Sequence, residues 1–178
     1  MTPAVYSVIV GIVVLERLFE LVLARRNVHH QLDRGGIEYG AGHYPVMVLL
    51  HSALLLGCLT ETWFLDRPFI PGLAFPMIGV LILSQALRYW VVVTLGRRWT
   101  IRVIVVPGDV RVRTGPYRFL PHPNYLAVVA EGIALPLIHS NWITAIVFSV
   151  ANALLLTTRI KIEDVALRDM DVKFREHG

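Results

Sequence analysis

The stretch PGLAFPMIGVLILSQALRYWVVVTL, Pro71 to Leu95, carries a single charged side chain, Arg88, in twenty-five residues. At a rise of about 1.5 Å per residue, a helix of that length exceeds the ~30 Å hydrocarbon layer of a bilayer. It reads as a membrane span. Working outward, residues 3–23 and 44–61 are apolar over comparable lengths. The whole chain is 55% hydrophobic and 17% charged, with a mean hydropathy of +0.59. That is too apolar for an ordinary soluble domain, and a polytopic membrane protein is expected. The first span lacks a basic flank before it and a small-residue cleavage pattern after it, so it is expected to stay in the mature protein.

Two shorter apolar pieces follow, residues 124–138 and 142–158. About fifteen helical residues reach only ~22 Å, less than the bilayer core. They read as a C-terminal helical hairpin, with Pro136 bending its first arm. The fold expected is therefore all-α, a polytopic integral membrane protein with about five transmembrane helices and a charged, helical tail from Arg159 to Gly178. One domain spans residues 1–178. The single cysteine, Cys58, has no partner for a disulfide or a thiolate metal site, and no metal is expected.

Cationic residues are unevenly distributed along this pattern. Arg25, Arg26 and Arg34 follow the first span, Arg97, Arg98, Arg102, Arg111, Arg113 and Arg118 the third, and Arg159, Lys161, Arg168, Lys173 and Arg175 the last. The opposite loops hold only Arg67. By the positive-inside rule the N-terminus is expected outside and the tail in the cytoplasm. The net charge of +4 is then a topology signal, and no basic stripe interleaved with aromatics suggests nucleic acid as a partner.

Ionisable groups within spans cost roughly 2.5–3.5 kcal/mol each at mid-helix on insertion scales, so each needs a partner or a task. Glu16 and Glu20 share one face of the first span, beside Arg17. Gln85 and Arg88 share a face of the third, near Ser84 and Tyr89, and Glu131 lies in the fourth. Helix-to-helix pairing, for instance of Arg88 with a carboxylate of the first span, is one account of them. Ligand contact is the other.

Between the third and fourth spans lies RTGPYRFLPHPNY, Arg113 to Tyr125. Its prolines forbid regular helix until Pro123, which suits the first turn of the fourth helix, and His122 falls at about the N-cap. The N–H groups of Asn124, Tyr125 and Leu126 then point toward the loop, where Arg118 and an imidazole converge, a geometry suited to an anion or polar ligand. A rigid connection between spans has the same composition.

GPYRFLPHPNY, Gly115 to Tyr125, resembles the G-P-Y-R-Y-x-R-H-P-x-Y motif of the isoprenylcysteine carboxyl methyltransferase family, and RIKIEDVAL, Arg159 to Leu167, resembles its R-I-x-x-E-E-x-x-L motif. Ser84 to Gly108 is further similar to a bacterial branch linked to methylation of long-chain alkylpyrones. The resemblance implies an integral membrane enzyme that uses S-adenosylmethionine, bound at a cytoplasmic loop, to methylate a carboxyl or enol/phenol oxygen of a lipidic acceptor. It carries over Tyr117, Arg118, His122, Asn124, Tyr125 and Glu163 as cofactor-site residues. Arg159 and Glu163 become the catalytic pair, and Gln85, Arg88 and Trp99 the acceptor contacts. Pro121 stands where the family has an arginine, and Asp164 where it has a glutamate.

On this reading a carboxylate acceptor needs only a cation to orient it, Arg159, which Glu163 either holds in place or leaves free while it touches the cofactor. An enol or phenol also needs a base, for which His122 is the plausible group. Asp164 is assigned to a surface pair with Arg168. Two rival classes stay in view. A membrane reductase using NADPH is one, because sterol reductases carry a similar H-x-N-Y pattern, followed there by glycine and an acidic residue where this chain has Leu126 and Ala127. A non-catalytic membrane scaffold is the other.

Overall fold

The computed structural model describes residues 1–176, with side chains described through Arg168, so the charged tail expected from Arg159 to Gly178 lies partly outside the described residues. Its helices are α1 (Pro3–Asp33), α2 (His43–Phe64), α3 (Pro71–Leu95), α4 (Pro123–Leu137) and α5 (Trp142–Glu176). Three helical stretches are long and apolar enough to cross a membrane: His43–Phe64, Pro71–Arg98 and Trp142–Arg168. In α1 the charges Glu16, Arg17 and Glu20 interrupt the apolar run, and α4 has only fifteen residues.

Several boundaries differ from expectation for identifiable reasons. Beyond residue 23, α1 continues to Asp33 because its polar last turns have partners. Asn27 donates to the carbonyls of Gly96 (3.2 Å) and Trp99 (2.7 Å), and Gln31 to that of Arg97 (2.8 Å). This extension holds the chain that leaves α3. The tail is no separate helix: α5 runs unbroken from Trp142 to Glu176.

The all-α expectation also needs amending. Strands β1 (Ile37–Tyr39) and β2 (Val103–Val105) form an antiparallel ribbon in which Glu38 faces Ile104. It joins the α1–α2 and α3–α4 connections, reinforced by Arg102–Glu38 (3.2 Å) and Arg34–Asp109 (2.7 Å). Segments this short, far apart in the chain, have no pattern of their own to announce a strand.

The hairpin of α4 and α5 forms as expected, with Pro136 in the last turn of α4. Its arms pack so closely that a side chain at Gly132 would overlap the Phe148 ring. One core lies at the end of the bundle where α2 meets α3 and α4 meets α5. It is built from Tyr6, Val10, Leu54, Cys58, Leu135, Ile138 and Phe148 among others. We call this the closed end. A smaller core of Ala24, Val91 and Trp99 lies at the other, the loop end.

Candidate active site

The route from α3 to α4 is set by backbone requirements. Gly115 has φ +59°, and a side chain there would overlap Thr94 of α3. Only glycine meets both conditions. A turn of 3₁₀ helix, Gly115–Arg118, follows, and the chain then enters α4 with His122 at the N-cap and Pro123 in the first turn. The N-cap assignment holds, but its consequence changes. The N–H groups of Tyr125 and Leu126 donate to the His122 carbonyl (3.2 and 3.4 Å), so the start of α4 offers less to an anion than expected.

Two cavities meet at this point. The first, about 180 Å³, lies under the ribbon and the α3–α4 loop and reaches Tyr117, Pro121, His122 and Glu163. The second, about 240 Å³, lies between α1, α2, α4 and α5 and is faced by Leu18, Leu21, Val48, Leu55 and Leu155. Trp99, Thr100, Asn124, Tyr125 and Arg159 line both. These five residues form a shared wall.

Side chains on that wall are held from behind. Arg159 is buried, donates to the Ile101 carbonyl (2.8 Å), touches the Met47 sulfur and lies 5.4 Å over the Tyr125 ring. Tyr125 donates its hydroxyl to Glu163. Glu163 therefore serves Tyr125 and His122 and forms no ion pair with Arg159, so of its two expected roles the holding of Arg159 is not the one found. The carboxylates of Glu163, 3.7 Å from His122 Nδ1, and of Asp164, 3.3 Å from Nε2, hold the imidazole above its ordinary pKa against the opposing effect of burial. Asp164 thus turns to His122 and not to Arg168. Burial raises the Tyr117 phenol, with Glu163 adding to the effect.

Not every expected residue arrives. Arg118 is exposed, stacked against Phe119 at 5.9 Å, and lines neither cavity. Gln85 donates to Glu16 and accepts from Arg17 (3.3 Å), which makes it part of a helix-to-helix network. That network continues through Arg17–Glu20 (2.7 Å) and Arg88–Glu131 (2.7 Å). Arg88 pairs chiefly with α4, its contact to Glu20 of α1 being 3.6 Å. Arg17, Glu20 and Arg88 nonetheless face the second cavity. His51, also on its wall, has no motif around it that would single it out in the sequence.

Two buried polar atoms at the wall have no hydrogen-bond partner among the described residues: Asn124 Oδ1 and Arg159 Nε. A buried polar atom left unpaired costs about 1–3 kcal/mol, so a ligand that pairs it is favoured. An acceptor oxygen, a carboxylate (Glu163) and N–H donors within one cavity suit a ligand bearing hydroxyls and a zwitterionic amino-acid end, as S-adenosylmethionine does.

Within this helical protein, then, two cavities share one wall, one at the loops and one among the helices. Residues 77–169 match the Isoprenylcysteine carboxyl methyltransferase (ICMT) family, and the chain belongs to it. It is 35% identical over 169 residues to the uncharacterized protein YpbQ of Bacillus subtilis, covering 94% of this chain and 99% of that protein. An uncharacterized protein of Haemophilus influenzae is 26% identical over 154 residues, covering 85% of this chain and 88% of that one.

Proposed function

We propose that the protein is an S-adenosylmethionine-dependent O-methyltransferase of the membrane, acting on a carboxyl or an enol/phenol oxygen of a lipidic acceptor. Membership of the family supports methyl transfer. The observation that carries the reading further is the shared wall of Trp99, Asn124, Tyr125 and Arg159 between a cavity at the loops and a cavity among the helices that has an apolar side formed by Leu18, Leu21, Val48 and Leu55.

When bound, the cofactor supplies an electrophilic methyl group on a sulfonium sulfur. The residues of the chain have the remaining tasks. His122, Asn124 and Glu163 bind and orient from the loop side, with Tyr125 held by Glu163. Arg159 orients the acceptor oxygen at the wall. Leu18, Leu21, Val48 and Leu55 of α1 and α2 hold the acceptor's apolar part and exclude water. Alignment of this kind supplies roughly 7–11 kcal/mol of barrier reduction in favourable cases. A long-chain alkylpyrone is one acceptor with both an apolar tail and an ionisable oxygen.

The same reading makes the chain one domain with five membrane helices, the N-terminus outside and α5 ending in the cytoplasm. Cysteines introduced at Thr2 and Arg113 test the orientation in intact cells, against a low background because Cys58 is fully buried. Labelling of Arg113→Cys from outside overturns it. For the reaction, the test is calorimetry with S-adenosylhomocysteine and NADPH, followed by mass spectrometry of a lipid extract incubated with methyl-labelled cofactor. Binding of S-adenosylhomocysteine and a labelled lipid are expected. Binding of NADPH alone overturns the reading in favour of a reductase.

A further inference from the structure

His51 lies on the wall of the second cavity and has no role in the methyl-transfer scheme so far. Its Nδ1 is 2.9 Å from the carbonyl oxygen of Met47, one turn earlier in α2. A carbonyl oxygen only accepts, so Nδ1 carries a hydrogen and, in the neutral ring, Nε2 is left with its lone pair. No side chain or carbonyl among the described residues engages Nε2. The ring's orientation is fixed further by an edge-to-face contact with Phe148 at 5.4 Å and 83°. A neutral imidazole, locked in one tautomer with a free nitrogen on a cavity wall, has the form of a base.

The charges around it fit that form. Met47 offers its carbonyl to His51 and its sulfur to Arg159, so one residue connects the base to the shared wall. Facing the same cavity are Arg17 and Glu20 from α1, Arg88 from α3 and Arg159 from α5, with Glu131 of α4 behind Arg88. Arg17 and Arg88 are matched by Glu20 and Glu131. Among the described residues on this wall, Arg159 is the cation without a carboxylate within 4.0 Å. His122, the base expected from sequence, lines the first cavity only and is occupied by Glu163 and Asp164.

We propose that His51 is the general base for an acceptor presenting a weakly acidic hydroxyl, an enol or a phenol, which would make that hydroxyl the physiological methylation site; this rests on the methyltransferase reading. The acceptor O–H proton passes to His51 Nε2, and an oxygen lone pair forms the new bond to the methyl carbon. The carbon–sulfur bond breaks with its electron pair going to sulfur. The sulfonium charge is thereby replaced by the imidazolium charge, and the neutral thioether leaves. Arg159 faces the oxygen as its negative charge grows. The imidazolium returns its proton to water after release. A carboxylate acceptor arrives ionised and has no proton for His51 to take.

The experiment uses the full chain in lipid nanodiscs, as wild type, His51→Asn and His51→Gln. Asparagine keeps an N–H for the Met47 carbonyl and removes the base; glutamine is a second replacement should asparagine fold poorly. S-adenosylhomocysteine affinity is measured first, as the check of fold and of the underlying reading, and no change between variants is expected. A nitrophenol bearing a long alkyl chain is then bound without cofactor and its visible phenolate absorbance titrated. The wild type is expected to lower the probe's apparent pKa by about one unit, and the variants to lose part of that shift, the remainder coming from Arg159. With cofactor, transfer to the same phenol is expected to fall about 10²–10⁴-fold in the variants, and transfer to a fatty acid of equal chain length to fall at least about tenfold less than transfer to the phenol. A variant that binds S-adenosylhomocysteine and keeps both the full phenolate shift and phenol turnover overturns the proposal, as does a wild type that methylates only the carboxylate. Failure of the wild type to bind S-adenosylhomocysteine overturns instead the methyltransferase reading beneath it.

Discussion

Two asparagines, each at the start of a helix, meet opposite fates. Asn141, just before α5 at the closed end, is fully buried, and its amide donates to Cys58 (3.0 Å) and Tyr6 (3.3 Å) while its oxygen accepts from Thr62 (3.1 Å). The N–H groups that open α5 are served too, since Glu61 accepts from Ile143 (3.1 Å) and Thr144 (2.8 Å) and pairs with Arg67 (2.8 Å). Asn124, in the first turn of α4 at the loop end, has a buried Oδ1 with no partner, and α4 has no side-chain cap. Both helix starts are polar sequence next to apolar sequence. The difference is that one asparagine completes its hydrogen bonds within the protein and the other leaves its oxygen open beside a cavity. His139 and Ser140 are exceptions at the closed end, unpaired in the α4–α5 turn with His139 packed between Tyr6 and Phe69.

The comparison breaks if substitutions at the two ends have interchangeable effects. The largest effect is expected from Arg159→Lys. A point charge cannot reproduce the planar donor held by Ile101 and Met47, and turnover should fall about 10²–10³-fold with little change in cofactor affinity. Near-normal turnover, or a defect confined to cofactor binding, takes Arg159 away from the acceptor oxygen.

Asn141→Ala should do the reverse. It unpairs groups of Tyr6, Cys58 and Thr62 and leaves a void, so thermal unfolding should reveal a loss of about 2–4 kcal/mol. Cofactor affinity of the folded fraction should be unchanged. A stable variant with weakened cofactor binding reverses the assignment of structure to the closed end and ligand to the loop end.

His122→Ala sharpens the loop end. It removes a side chain that bridges Glu163 and Asp164, and S-adenosylhomocysteine affinity should drop about tenfold while the unfolding midpoint barely moves. Unchanged affinity in calorimetry returns the loop to the role of a rigid connection.

The smallest effect is a pH dependence. Because the folded pKa of His122 is raised, its attraction to Glu163 and Asp164 contributes in full below the ordinary imidazole value of about 6.5 and is lost as pH rises through the folded value. Stability should therefore decline with pH above about 6.5, by less than about 1 kcal/mol because Asp164 is 42% exposed. Asp164→Asn should flatten that slope in melts taken across the range. An identical slope in the variant removes Asp164 from the pair.

Read alone, the sequence determines a good part of this. Two apolar runs, residues 44–61 and 71–95, become helices at nearly the expected residues because hydrophobic length is a local property, and α3 at Pro71–Leu95 coincides with the run itself, whereas the run at 3–23 is continued to Asp33. Pro123 and His122 set the start of α4 because a proline constrains its own turn and the residue before it. The helical hairpin is legible from two apolar pieces separated by His139, Ser140 and Asn141, and the pairing of Arg88 with some carboxylate from the cost of burying an unpaired charge in a membrane.

Other features exist only in the folded chain. Nothing local in Ile37–Tyr39 or Val103–Val105 requires a ribbon, which forms when the continuation of α1 brings the two connections together. Which carboxylate meets Arg88, which residue Glu163 serves, and that Arg118 faces solvent are decided by helix rotation and loop path, which spacing leaves open. His51 makes the same point most sharply. In sequence it is a lone histidine in an apolar run, and only the packing of α1, α2, α4 and α5 around one cavity, with a carbonyl fixing its tautomer, makes it chemically notable.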